Sequence, residues 1–211
     1  MAHESLSLSV RWSLVFAALA SLSGCYAPPR VGDPSNALAA GPLPPDQINW
    51  PEKYRPEDAS FFVHNEIEIQ APPEAIWEVI IQAETWPSWY EGASKVKVQG
   101  REDGRLAPDA VFTWDTMGLS FTSTIKEFKP PHRLSWESRK STIQGYHAWL
   151  IIPTAAGCKL VTDESQHGFM TWMQKAFVPG KLRRLHDVWL AEIKKKSEAQ
   201  GGAVSLLLPG D

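Results

Sequence analysis

His147 and Glu164 lie equally far on either side of the short stretch Thr154-Ala155-Ala156-Gly157. A glycine and small residues between two apolar runs suit a chain reversal, so the flanks are expected to pair as an antiparallel hairpin. With Pro153 opposite Cys158, counting back sets Ile151 against Leu160, Trp149 against Thr162 and His147 against Glu164. A carboxylate facing an imidazole on the inner side of a sheet can act as a general acid and base, or can hold a ligand hydroxyl or carbonyl. The same two groups can also satisfy each other, because buried polar groups need partners. Both readings stay open on the sequence.

Other chemical signatures are missing. The sequence has no Gly-rich phosphate loop, no His-Glu-x-x-His, no Cys pair with zinc spacing and no Gly-x-Ser-x-Gly elbow. His132, His167 and His186 are not spaced as ligands with any evident partner, so neither a metal nor a cofactor is expected. The two cysteines, Cys25 and Cys158, define no disulfide framework, and Cys158 reads as a small buried hydrophobe. A net charge of −3 supplies no global positive field, which argues against nucleic acid as a partner. The basic cluster Arg183, Arg184, Lys194, Lys195 and Lys196 falls on a helix-like segment, where a solvated face accounts for it.

The elements that must position His147 and Glu164 follow from hydrophobic period. From Phe61 to Gln70 the residues alternate, with Val63, Ile67 and Ile69 on one side, which predicts a half-buried strand. Pro72-Pro73 stops it, and Ile76, Trp77, Ile80 and Ile81 recur at helical spacing. A second short helix is expected around Thr85 to Tyr90. Short strands then follow over roughly 95–99, 109–117, 119–128, 133–138, 145–152 and 159–166, separated by Gly and Pro turns that favour antiparallel hairpins. The period returns to helical from Phe169 to about Ala199, with a break at Val178-Pro179-Gly180.

This order predicts an α+β domain in which an antiparallel sheet buries one face under a long C-terminal helix. Alternation puts Phe112, Trp114 and Thr116 inward, then Phe121, Ser123 and Ile125, then Leu134 and Trp136. With ten tryptophans in the chain, this inner face is strongly aromatic. Phe112, Trp114, Phe121, Trp136, His147, Trp149, Thr162, Glu164 and Trp189 are therefore the candidate lining of an apolar ligand cavity. Core filling explains the same aromatics equally well.

Three phrases carry a family resemblance. They are Ile67 to Trp77, with Ala71-Pro72-Pro73-Glu74 at its centre; Ile125 to Trp136, with Lys129-Pro130-Pro131-His132; and Gly157 to Gly168. From about Val63 to Lys196 the chain resembles the START-like superfamily (SRPBCC) that includes polyketide cyclases. The resemblance implies a helix-grip fold, a curved antiparallel sheet wrapped around the C-terminal helix with two short helices after the first strand. It also implies that the region of Trp86, Trp89 and Tyr90 borders a cavity entrance. Such patterns specify fold far better than chemistry.

Residues 1–24 read as a signal peptide, with Arg11 ahead of the apolar run Trp12 to Leu22, which is too short to span a bilayer. Leu22-Ser23-Gly24-Cys25 resembles a bacterial lipobox, which implies lipidation of Cys25 and a membrane-anchored place in the cell envelope facing the periplasm or exterior. Residues 25–58 are expected as a flexible Pro- and Ala-rich tether, 59–199 as the ligand-binding domain and 200–211 as a tail. The expected role is binding or transport of a hydrophobic small molecule or lipid. A cyclase or aromatase-like enzyme using His147 and Glu164 is the alternative, and a cell-envelope interaction protein is a third.

Overall fold

In the computed structural model, which describes residue 44 and residues 46–205, the alternating runs form one sheet of seven antiparallel strands. They are β1 (Phe61–Ile69), β2 (Ser94–Val98), β3 (Val111–Thr116), β4 (Leu119–Lys129), β5 (Arg133–Lys140), β6 (Ile143–Thr154) and β7 (Gly157–His167). Their order is β1-β7-β6-β5-β4-β3-β2, so the first strand pairs with the last and every other neighbour is a sequential hairpin. From β3 to β7 the connections are only two or three residues long, which leaves no room for crossover helices.

Between β1 and β2 the chain forms α1 (Pro73–Ile81) and a 3-10 helix, Ala83–Ser88, in place of the second short helix. After β7 come α2 (Phe169–Phe177) and α3 (Lys181–Ser205), with Pro179-Gly180 at the expected break. The long helix thus runs beyond Ala199 into the stretch expected as a tail. α3 lies across β1 and packs against α1. Among the described residues no helix is long and apolar enough to cross a membrane.

The sheet bends around the helix. Trp189 of α3 has its ring 6.0 Å from that of Trp114 on β3, 6.3 Å from Trp136 on β5 and 5.0 Å from Trp149 on β6. In a flat sheet β3 and β6 would stand about 14 Å apart. Only a curved sheet brings their side chains to one indole, and the result is the helix-grip α+β fold.

The interior is far fuller than a ligand-binding cavity requires. Trp86, Trp136, Trp149, Trp189 and Phe112 are each less than 2% exposed, and Tyr90 stacks on Trp189 with ring centroids 4.4 Å apart. The open apolar space expected between sheet and helix is taken up by the aromatics meant to line it. Alternation reports which side a residue faces, but not how deeply side chains from facing layers interdigitate.

The segment before β1 also departs from expectation. Tyr54 is 2% exposed and, with Ile48 and Trp50, packs on Tyr146 and Ala148 of the outer sheet face. Its hydroxyl donates to Glu137 Oε1 at 2.6 Å. From Ile48 onward the chain is therefore docked on the sheet and is no tether. Two aromatic side chains supply enough apolar area to hold a proline-rich stretch that lacks any periodicity. The signal peptide, the lipobox with Cys25 and the first part of the tether lie outside the described residues.

Candidate functional site

The β6–β7 hairpin has the register counted from its turn: Pro153 pairs with Cys158, Ile151 with Leu160, Trp149 with Thr162 and His147 with Glu164. His147 Nδ1 lies 3.3 Å from Glu164 Oε2. The other ring nitrogen, Nε2, is 2.6 Å from Thr162 Oγ1, on the residue two positions before Glu164. Glu164 Oε1 accepts from Gln166 Nε2 at 2.5 Å. Strand alternation explains this neighbourhood, since Thr162, Glu164 and Gln166 project from one face of β7.

A third member was not anticipated. His186 of α3 places Nε2 3.3 Å from the same Glu164 oxygen, and its ring centroid is 4.9 Å from that of His147. The sequence shows no spacing between His186 and either partner, because the contact depends on how a helix is rotated over a sheet. Its only hint is phase: His186 adjoins Leu185 and stands three residues before Trp189, both on the inward face.

Burial governs the protonation of this cluster. His147 is 3% exposed, and burial pulls its pKa down to about 3, against the opposing pull of Glu164 and helped by His186. It is a neutral imidazole at neutral pH. Burial would raise the Glu164 carboxyl, but the hydrogen bonds it accepts, from His186 first and then from Gln166, outweigh it. Glu164 is therefore held below the usual carboxylate range and stays ionised.

The cluster borders a cavity of about 30 Å³, enough for a water-sized occupant. Trp114, Phe121, Trp136, His147, Glu164 and Trp189 line it as expected. Phe112, Trp149 and Thr162 do not, being 0%, 1% and 0% exposed within the packed interior. Thr116, placed inward by alternation though not among the candidate lining, is also on it, and residues not expected there include Leu119 of β4, Gln174 of α2, and Leu182 and Leu185 of α3. Trp86 is a core residue whose indole donates to Ile80 O at 3.0 Å, whereas Tyr90 does reach the cavity. Among the described residues, the exposed large apolar side chains lie on and just after α2: Phe169, Trp172, Phe177 and Val178.

A family model described as polyketide cyclase / dehydrase and lipid transport matches residues 61–198. The chain belongs to this family. The match spans the whole sheet and most of α3, so it includes all three members of the polar cluster. No curated protein matches the chain. Among solved structures, a hypothetical protein from Helicobacter pylori superposes with a TM-score of 0.67 at 23% identity, covering 72% of this chain and 96% of that one. The di-domain ARO/CYC BexL from the BE-7585A biosynthetic pathway gives 0.53 at 18% identity, covering 65% of this chain and 50% of that one. Norcoclaurine synthase from Thalictrum flavum gives 0.52 at 14% identity, covering 66% and 95%. At these identities the likeness concerns the fold alone.

Proposed function

We propose that this protein binds a small, largely apolar molecule bearing an oxygen acceptor in the cleft between the β3–β4 hairpin, α2 and α3. The observation that carries this reading is a pair of indoles. Trp136 and Trp189 both line the cavity, are fully buried, and have Nε1 groups with no hydrogen-bond partner among the described residues. A buried donor left unpaired costs on the order of 1–3 kcal/mol, and a ligand oxygen would remove that cost.

A ligand larger than water requires the cleft to open, and α2 is the element suited to move. Thr171 is its only buried residue, while Phe169, Trp172 and Phe177 are exposed. Gly168 with φ of +114° precedes it and Pro179-Gly180 follows, giving a pivot at each end. Sparse burial marks segments that open at low free-energy cost. With Cys25 lipidated, as the lipobox sequence supports, such a cleft would hold or pass on a hydrophobic molecule at a bacterial membrane surface.

A cyclase-like reading is favoured by one observation, the neutral His147 beside the ionised Glu164 at the cleft's inner end. In that case the pair would move protons on a bound chain, and Glu164→Gln would abolish turnover while leaving binding intact.

The binding reading is tested with the chain from residue 42 onward, a compact unit by itself. Titration with an aromatic ketone such as a flavone should quench tryptophan emission saturably. Thr116→Phe, which narrows the mouth, should weaken binding at least about tenfold, a difference of about 1.4 kcal/mol. Quenching that never saturates, or equal affinity in the narrowed variant, would refute it.

A further inference from the structure

We propose that His147, Glu164 and His186 form a site for one divalent transition-metal ion of the zinc class, with a free coordination position facing the cleft. Two imidazoles and one carboxylate, drawn from β6, β7 and α3, are a donor set that suits such ions. The site does not depend on the ligand proposed above.

Geometry is the first argument. Zinc bonds to nitrogen and carboxylate oxygen are about 2.0–2.1 Å long, which sets tetrahedral donor atoms about 3.3 Å apart. Glu164 Oε2 lies 3.3 Å from His147 Nδ1 and 3.3 Å from His186 Nε2. Direct charge-assisted hydrogen bonds are shorter, about 2.7–2.9 Å. Both edges that meet at Glu164 Oε2 thus have the length of an edge of a tetrahedral zinc site, and the His186 contact is at the long end for a hydrogen bond. The donor atoms all lie within 4.8 Å of one another. A bound ion would have to draw the widest pair of donors in toward about 3.3 Å, and the buried Nδ1 of His186 has no partner among the described residues that such a shift would break.

The surroundings give the second argument. Metal-binding imidazoles usually engage a hydrogen-bonding group through the other ring nitrogen, and ligating carboxylates are themselves hydrogen-bonded. Here Thr162 Oγ1 meets His147 Nε2 at 2.6 Å, and Gln166 Nε2 donates to the second Glu164 oxygen at 2.5 Å. Both contacts hold a donor in place while leaving Nδ1 and Oε2 available. Around them stand the apolar faces of Trp136 and Trp149, with ring centroids 4.7 and 5.1 Å from that of His147. Glu164 is partly buried and ionised, and a divalent ion would complement its charge alongside the hydrogen bonds it already accepts. Three protein donors leave one tetrahedral position, and the adjoining 30 Å³ of cavity admits a water or a ligand oxygen there.

The test uses the full chain carrying Cys25→Ser, which removes an adventitious thiolate, after treatment with a chelator. Calorimetric titration with Zn²⁺ should give one ion per chain, and Co²⁺ should develop the intense visible absorption of four-coordinate cobalt. Glu164→Gln and His186→Gln should each abolish that absorption. Thr162→Val, which leaves all three donors in place and keeps the side-chain shape, should weaken Zn²⁺ binding about 10- to 100-fold. Near-UV circular dichroism checks that each variant is folded, and Thr162→Val serves if a ligand variant is not. The proposal is overturned if Zn²⁺ gives no saturable heat. It is equally overturned if one ion binds with unchanged affinity in folded His186→Gln and Thr162→Val, which would locate the metal elsewhere.

Discussion

His186 on α3 holds its Nε2 3.3 Å from Oε2 of Glu164 on β7. The helix thus reaches the floor of the cleft through a polar contact set inside an otherwise aromatic interior. Because Glu164 also faces His147, one carboxylate joins two strands and the helix that closes them. That contact makes the inner end of the cleft chemically distinct from its apolar walls.

Thr162→Val tests whether the cluster is satisfied from within. Removing the hydroxyl leaves His147 Nε2 buried and unpaired, which should cost about 1–3 kcal/mol in urea denaturation. An unchanged midpoint would mean that His147 finds another partner.

Trp189→Ala should cost about 3–5 kcal/mol, as expected for emptying a large aromatic from a core. Trp189 touches Tyr90, Trp114, Trp136 and Trp149, so the sheet loses the side chain around which it bends. Thermal unfolding measures the loss, and a variant as stable as the parent would contradict the packed interior described above.

The β6–β7 register, including His147 opposite Glu164, was legible because a tight turn leaves little freedom in how two strands align. Other features were not. His186 joins the pair through the rotation of α3, which helical periodicity gives only to within a face. Phe112, Trp149 and Thr162 point inward as alternation requires, yet they meet other side chains before they meet the cavity. Trp50 and Tyr54 sit in a proline-rich stretch without any period, so their docking on Tyr146 and Ala148 left no pattern to read.

Two glycines should respond oppositely to alanine. Gly157 has φ of +145° and an added Cβ would lie 2.2 Å from Ile69 O, so Gly157→Ala should destabilise by at least about 1–3 kcal/mol. At Gly180 an added Cβ meets nothing within 4 Å, and Gly180→Ala should be neutral or stabilising by up to about 1 kcal/mol. Stiffening this pivot of α2 should also slow ligand entry, measured by stopped-flow fluorescence, while an unchanged rate would argue against α2 as the moving element.

Acid stability should depend on Glu137. Burial raises its pKa, but hydrogen bonds from Arg139 and Tyr54 and the charges of Arg139 and Lys126 outweigh that and hold it below the ordinary value. A carboxyl lowered on folding contributes stability above its unfolded pKa, and that contribution disappears as pH falls through the folded value. The parent chain should therefore lose stability relative to Glu137→Gln as pH drops below about 4.5. Parallel curves for the two proteins from neutral pH to pH 3 would show that the contact with Tyr54 carries no such linkage.

Native mass spectrometry of the chain from residue 42 onward, purified without detergent and mixed with an excess of flavone, tests most directly whether the cleft opens to a ligand. One added molecule per chain is expected in the parent protein and markedly less in Thr116→Phe. A folded chain that carries only its own mass at every ligand concentration would mean that the aromatic interior is a closed core.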